Sequence, residues 1–410
     1  MRTRVLLSRA VAGIAALVVL TGAACGSSKS TSTATPASST QAGTAAAGEP
    51  YVVGSTSDLS GPIAFEGTAL RDGLRAYLSY VNQQGGVNGH PIKYVALDDR
   101  SDPNTGIANV KQLVGQHAVV ILGWGLSNVI EAALPSLQQD NMPIIAQSLT
   151  GDMLHPVKPV LFGGDMSIAD EAAPEVSFAS GQLSNVAHPK VALFTYVSAV
   201  DAQFRQAAQQ LVKAKGWDLV ADQVVQLTAT DLSAPVAAIA RAKPDFVLMS
   251  LVDPQAVLAV SGLRQQGLNV PVVNYDGGSG YTTLQKLHDP NFYVLRPYGF
   301  ATDSGSGIAT FGAATKAAGV DPNTPFLING YMQAVVLVGA LKSCGFPCSS
   351  AKLENVMNSL GAVDTGGVAV APLLYSNTDH AGIQDARIYK WDTQSSKPVA
   401  ASELLPVGQK

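Results

Sequence analysis

The residues with chemical potential are few and mostly solitary. Asp98, Asp99 and Asp102 fall within five positions, and three carboxylates so close would suit a hard cation. Asp102 followed by Pro103, however, has the form of a helix N-cap with proline at the first helical position, so no metal is expected there. Cys344 and Cys348 enclose Gly-Phe-Pro. In an oxidising compartment they would join as a local disulfide. So short a loop should add less than the roughly 3 kcal/mol of a 15-residue one, pinning a turn without doing chemistry. The six histidines are scattered, with no His-x-x-x-His pair. Neither Gly-x4-Gly-Lys-Ser/Thr, Gly-x-Gly-x-x-Gly after the first strand, Gly-x-Ser-x-Gly nor His-Glu-x-x-His occurs. Ser279, in Gly-Gly-Ser-Gly-Tyr, lacks the second glycine of a nucleophile elbow. The expectation is a chain without turnover and without a cofactor. Trp124, between Gly123 and Gly125, would either stack on a ligand or pack beneath its loop.

These residues sit among alternating elements. Strands are expected at Tyr51–Gly54, Ile92–Leu97, Ala118–Leu122, Pro143–Ala146, Lys190–Phe194, Leu219–Gln226, Asp245–Ser250 and Val270–Asn274. A helix over Gly67–Gln84 carries Leu70, Leu74, Tyr77 and Val81 on one face and stops at Gly85-Gly86. Strand–helix alternation predicts an α/β fold with parallel sheets covered by helices on both faces. Two runs, broken near Phe162–Ala172, imply two lobes. Open parallel sheets bind ligands beyond the carboxyl ends of their strands. The loops to watch are therefore Ser55–Gly67, Gly123–Val129, Gln147–Leu154, Thr195–Gln203, Leu251–Pro254 and Tyr275–Thr282. Their Gly, Ser, Thr and Asp content suits a small polar ligand.

Composition narrows the classes further. The chain has 410 residues, 47% hydrophobic and 14% charged, enough apolar surface for a large core. The net charge of −4, with no Lys/Arg block, argues against a nucleic-acid partner. Residues 1–24 read as a signal peptide: Arg2, Arg4 and Arg9 precede an uncharged stretch from Ala10 to Leu20, too short to span a bilayer comfortably. Its removal takes the net charge from −4 to −7. Gly22-Ala23-Ala24-Cys25 resembles a bacterial lipobox, with Gly22 where Leu is usual, and implies diacylglycerol on Cys25. Ordinary cleavage near Ala24 is the alternative. Residues 26–49, almost all Ser, Thr, Ala and Gly, cannot offset their ordering entropy and should form a flexible tether. The protein is expected outside the cytoplasm, anchored to the membrane by lipid.

Ser60-Gly61-Pro62-Ile63-Ala64 with Gly67, then Asn82-Gln83-Gln84-Gly85-Gly86-Val87-Asn88-Gly89, Asp98-Asp99 and Asp102-Pro103 form an ordered series. It continues through Asp245-Phe246-Val247 and Asp364-Thr365-Gly366-Gly367 to Ile388-Tyr389-Lys390-Trp391. This series, over about 350 residues, resembles the leucine/isoleucine/valine-binding family of type I periplasmic binding proteins, the solute-capturing components of ABC importers. The resemblance implies two Rossmann-like lobes with parallel central sheets, joined by a three-crossing hinge. Residues 50–166 and 299–370 would form one lobe, and 167–298 and 371–410 the other. It implies a monomer that delivers a small-molecule solute to separate ABC permease and ATPase subunits, or, as the alternative, a sensor using the same clamp. At the site it places Ser127, Ser148 and Thr150 on the ligand carboxylate and ammonium, and Asp276 on the ammonium. Glu66 replaces the usual aromatic of the first loop, with Phe65 beside it. Val200 and Val252 stand where the family has tyrosines, Tyr196 lying near the former. These departures imply a pocket of altered shape or charge, open equally to a larger, amide-like, cationic or aromatic solute.

Overall fold

A computed structural model describes residues 48–147, 149–277 and 280–408. The signal segment, Cys25, nearly all of the tether and Ser148 lie outside the described residues. The first sheet is laid down by β1 (Tyr51–Ser57), α1 (Ala64–Gln83), β2 (Ile92–Asp98), α2 (Pro103–Gly115), β3 (Ile121–Gly123), α3 (Ser127–Gln139), β4 (Ile144–Ala146), α4 (Gly151–Leu154) and β5 (Leu161–Gly163). Its strands are parallel in the order β2-β1-β3-β4-β5. The chain then leaves for a second sheet. That run comprises α5 (Ile168–Gln182), β6 (Lys190–Tyr196), α6 (Ala199–Ala214), β7 (Asp218–Val225), α7 (Ser233–Ala242), β8 (Phe246–Met249), α8 (Asp253–Gln265), β9 (Val272–Asn274), α9 (Tyr281–Leu287) and β10 (Phe292–Arg296).

The remainder shuttles between the two. Helices α10 (Ser306–Ala318) and α11 (Leu327–Cys344) pack on α1, and α12 (Ser350–Met357) on α11. Then β11 (Gly361–Val363), β12 (Leu373–Ser376) and β13 (Asp379–Gly382) form a small antiparallel sheet against β5. The Tyr375 hydroxyl donates to the Gly163 carbonyl at 2.7 Å. The return to the second sheet therefore comes only at β14 (Asp385–Asp392), beyond the 370/371 boundary expected from the sequence. β14, β15 (Lys397–Ala400) and β16 (Leu405–Pro406) are antiparallel additions. They make the second sheet mixed, in the order β15-β14-β10-β9-β8-β6-β7.

Local chemistry explains the element ends. Asp58 accepts from the Ile63 amide at 3.0 Å, from the Ser101 hydroxyl at 2.5 Å and from the Gly61 amide. This ties down the amides ahead of α1, so the helix starts at Ala64 rather than Gly67. Gly85 and Gly86, at φ 99° and 74°, end it. Asp102 caps α2, accepting from the Thr105 amide at 2.7 Å, with Pro103 at the first position. Helix α11 is long and apolar enough to cross a membrane by composition, yet 78% of it is buried in the protein, the mark of a core helix. Its Gly330 meets α1 at the Leu70 carbonyl, and Gly73 of α1 meets the Leu327 carbonyl. A Cβ on either glycine would stand about 2 Å from those oxygens. Cys344 and Cys348 are paired across the turn after α11, with Cα atoms 5.8 Å apart.

Candidate functional site

Where the carboxyl ends of the two sheets face each other the structure has a cavity of about 240 Å³, near the lower end of small-molecule sites. All six loops singled out from the sequence contribute to it. The first lobe supplies Ile63, Phe65 and Glu66 ahead of and within α1, Gly125 and Leu126 before α3, and Gln147 and Leu149 after β4. The second supplies Tyr196, Val197, Ser198, Val200 and Asp201 at the β6–α6 turn, Leu227 after β7, Val252 before α8, and Tyr275 and Gly277 after β9. Asp165, Met166, Ile168 and Glu171 come from the crossing between lobes, and Phe326 from the residue before α11. Phe326 holds a positive φ of 64°, costly for a bulky side chain, and its ring meets Phe65 edge-on at 6.0 Å.

The polar part of the wall is acidic. Asp165 accepts from the Met166 amide at 2.8 Å, from Asn329 Nδ2 at 2.7 Å and from Gln147 Nε2. Burial, and then the neighbouring Asp276 carboxyl, hold it well above the usual carboxylate range. Glu171 Oε2 accepts from the Asp276 amide at 2.8 Å. Its carboxyl too is raised, by burial first and by Asp276 and Asp165 next. Asp201 accepts 2.7 Å from Ser250 Oγ and also from Ser198 Oγ, and burial raises it. Glu66 is pushed up to about 8, by burial and then by the charge of Asp58. Behind this wall Asp276 faces Arg296, Oδ1 to Nη1 3.5 Å. Burial lifts Asp276 to about 6 even against that guanidinium. Arg296 also donates to the Tyr298 carbonyl at 3.2 Å and lies 4.8 Å from the Phe300 ring centre. Among the described residues that line the cavity there is no Lys, Arg or His.

The residues expected from the sequence divide into two groups. Phe65, half exposed, Glu66 and Tyr196 meet in the cavity wall. Tyr196 is anchored by accepting the Val252 amide at 3.0 Å. Ser127 opens α3 beside Leu126 but is not in the wall, and Thr150 is buried at the start of α4, next to Leu149. Asp276 lies one layer behind the wall, against Arg296. Trp124 is fully buried among Val110, Ile130 and Leu137. The stacking alternative therefore gives way to packing beneath the loop, because the positive φ of 64° at Trp124 belongs to a residue enclosed by the helices flanking β3. Sequence reasoning missed Asp165, Glu171, Gln147, Asp201, Tyr275 and Phe326. Asp201 had a signal, since Ser198-x-x-Asp201 is a helix-start pattern and Ser198 caps α6. The others gain their meaning from partners far along the chain.

Comparison with known proteins agrees with this architecture. Residues 50–397 match the model of a family described as periplasmic binding protein. The Leu/Ile/Val-binding protein BraC3 of Rhizobium johnstonii is 24% identical over 366 residues, covering 85% of this chain and 93% of that protein. A branched-chain amino acid ABC transporter protein of Thermus thermophilus with bound valine superimposes with a TM-score of 0.78 at 16% identity, covering 88% of this chain and 97% of that one. A fatty acid ABC transporter substrate-binding protein of Thermomonospora curvata does so at 0.74 and 20% identity, covering 89% and 94%. The two-lobed fold is that of type I periplasmic binding proteins. With the family match spanning nearly all of the described chain and both sheets aimed at one cavity, this protein belongs to the periplasmic binding protein family.

Proposed function

We propose that this protein captures a small solute outside the cytoplasm by closure of its two lobes and delivers it to an ABC permease powered by a separate ATPase. In this reading a signal peptide is removed, Cys25 carries the lipid anchor, and residues 25–49 are the tether. The Cys344–Cys348 pair is a disulfide formed in the oxidising exterior. Phe65, Glu66 and Tyr196 touch the solute, with Ser127 and Thr150 at the edge of the site and Ser148 kept as the ligand contact that the resemblance implies. The observation that carries the reading is the cavity itself, built from loops of both lobes at the carboxyl ends of their strands. A ligand bridging two such walls makes contacts in the closed form that the open form lacks, and that difference shifts the equilibrium.

Thermal unfolding against amino acids, amides, amines and aromatic acids tests the proposal. A true solute at 100 times its dissociation constant should add about 2.7 kcal/mol of stability. If no solute raises the midpoint of the folded protein, the capture function fails.

A further inference from the structure

The cavity wall carries more information than the fold. Four of its side chains, Glu66, Asp165, Glu171 and Asp201, bear carboxyl groups, and the described lining residues offer no cation in return. The guanidinium behind the wall, Arg296, is engaged by Asp276, a backbone carbonyl and the Phe300 ring. Two acceptors in the wall also lack a donor. Gln147 is 5% exposed, spends its amide N–H on Asp165, and leaves Oε1 buried with no partner among the described residues. Glu171 is 3% exposed and uses Oε2 for the Asp276 amide, so Oε1 receives no hydrogen bond from the described residues. A buried acceptor such as Gln147 Oε1 calls for an N–H donor, and Glu171 Oε1 stands open beside it in the wall.

The place where an anion would gain most is already taken. Helix α3 starts at Ser127, and a helix N-terminus is an anion site. Glu66 Oε1, however, lies 3.4 Å from where a Cβ on Gly125 would stand, in front of the loop leading into α3. A ligand carboxylate approaching there would meet the chain's own carboxyl, and would be repelled by it where Glu66 is ionised, above about pH 8. The rest of the wall is apolar or aromatic: Phe65, Leu126, Met166, Val252, Tyr275 and Phe326. Resting on the solute-capture reading above, we infer that the ligand is an amphipathic organic cation, an apolar body carrying a protonated amine and no carboxylate. The ammonium donates to Glu171 and Gln147, and the apolar body lies against the rings of Phe65 and Phe326.

This assignment fixes the sign of a pH dependence. Glu66 faces Asp58 from the β1–α1 loop, Tyr275 from the second lobe, and Glu171 and Asp201 across the cavity, with no described cation among them. A cation in this wall favours the ionised form of the acids it faces, Glu171 as its direct acceptor and Glu66 beside it, and so displaces their protons. Its association constant should then rise with pH, by up to tenfold per unit below the Glu66 pKa of about 8. An anion bound to the protonated acid would show the opposite slope.

The test is isothermal calorimetry with three probes sharing one apolar body: 3-methylbutylamine, leucine and 4-methylpentanoate. A second set uses 2-phenylethylamine, phenylalanine and 3-phenylpropanoate. An amine should bind at least tenfold more tightly than its amino acid or acid, more tightly at pH 8 than at pH 6, and with proton release between buffers of different ionisation enthalpy. Glu171→Gln should weaken the amine at least tenfold. Glu66→Gln, a second variant whose side chain has no described partner to lose, should lessen the pH slope below pH 8 while leaving the share due to Glu171. If leucine, phenylalanine or either acid binds best, the cation assignment falls and solute capture stands. If a folded protein ignores all six probes the cation assignment also falls, and the wider solute panel then decides whether capture falls with it.

Discussion

The pair Asp276–Arg296 shows how a single contact governs this site. Both side chains are buried, Asp276 at 5% and Arg296 at 8% exposure. Removing one partner of a buried pair strands the other charge, which typically costs 3–5 kcal/mol. Arg296→Met should therefore destabilise the protein by about 3–5 kcal/mol in urea unfolding, and Asp276 should hold its proton well above its present pKa of about 6. A loss below about 1 kcal/mol would mean that the guanidinium is not what balances the acids behind the wall. The same logic explains why Asp276, expected at the ligand, stands behind the cavity. Its amide supports Glu171 and its carboxyl answers Arg296.

At the scale of elements, α11 joins the packing of the first lobe to the geometry of the site. It is buried along most of its length, and its two inward amides reach the cavity loops. Asn329 donates to Asp165 at 2.7 Å, and Gln333 Oε1 accepts from the Gly123 amide at 2.8 Å. The close crossing with α1 at Gly73 and Gly330 is what allows this reach. Gly73→Ala or Gly330→Ala should each cost about 1–3 kcal/mol, the range for overpacking a filled core, and should weaken solute binding by displacing Asn329. Gly339 lies on the same helix with open space where its Cβ would be. Gly339→Ala should instead stabilise by about 0.5–1 kcal/mol through helix propensity. Thermal midpoints of the three variants give the comparison, and equal losses at all three positions would sink the crossing argument.

Over the whole molecule, the buried acids set a pH profile. Glu175 is fully buried in α5, both carboxyl oxygens are without a hydrogen-bond partner among the described residues, and burial holds it well above its usual range. Asp165, Glu171 and Asp276 are raised as well. A raised acid binds its proton more tightly in the folded than in the unfolded chain. Its contribution is therefore intact below the unfolded value of about 4.3 and is lost as pH climbs toward the folded value. The protein should melt at a higher temperature near pH 5 than at pH 8. Glu175→Gln removes one such proton. It should lessen the fall by about 1.4 kcal/mol per pH unit in the window between the two pKa values, leaving stability at pH 5 little changed. A parent protein more stable at pH 8 than at pH 5 would reverse the sign and contradict the burial account.

The amino-acid order by itself determined the alternation of strands and helices, the glycine stop after α1, the Asp102-Pro103 start of α2 and the six loops that meet at the cavity. All of these rest on periodicity, backbone conformation or capping within a few residues, which a linear chain displays directly. The parallel strands β5 and β10 and the late strands β11 to β16 lay outside the expected elements; for β11 to β16 the reason is that short antiparallel additions take their register from strands already in place, as β14 does along β10. Tertiary structure alone decided that Glu171 meets the Asp276 amide 105 positions away, that Asn329 reaches Asp165 across 164, and that Trp124 turns into the core. A carboxyl's charge state depends on which dipoles, ions and apolar walls surround it in space. Sequence spacing carries no record of those neighbours, and so the acidic character of the site emerged only once the two lobes were folded around it.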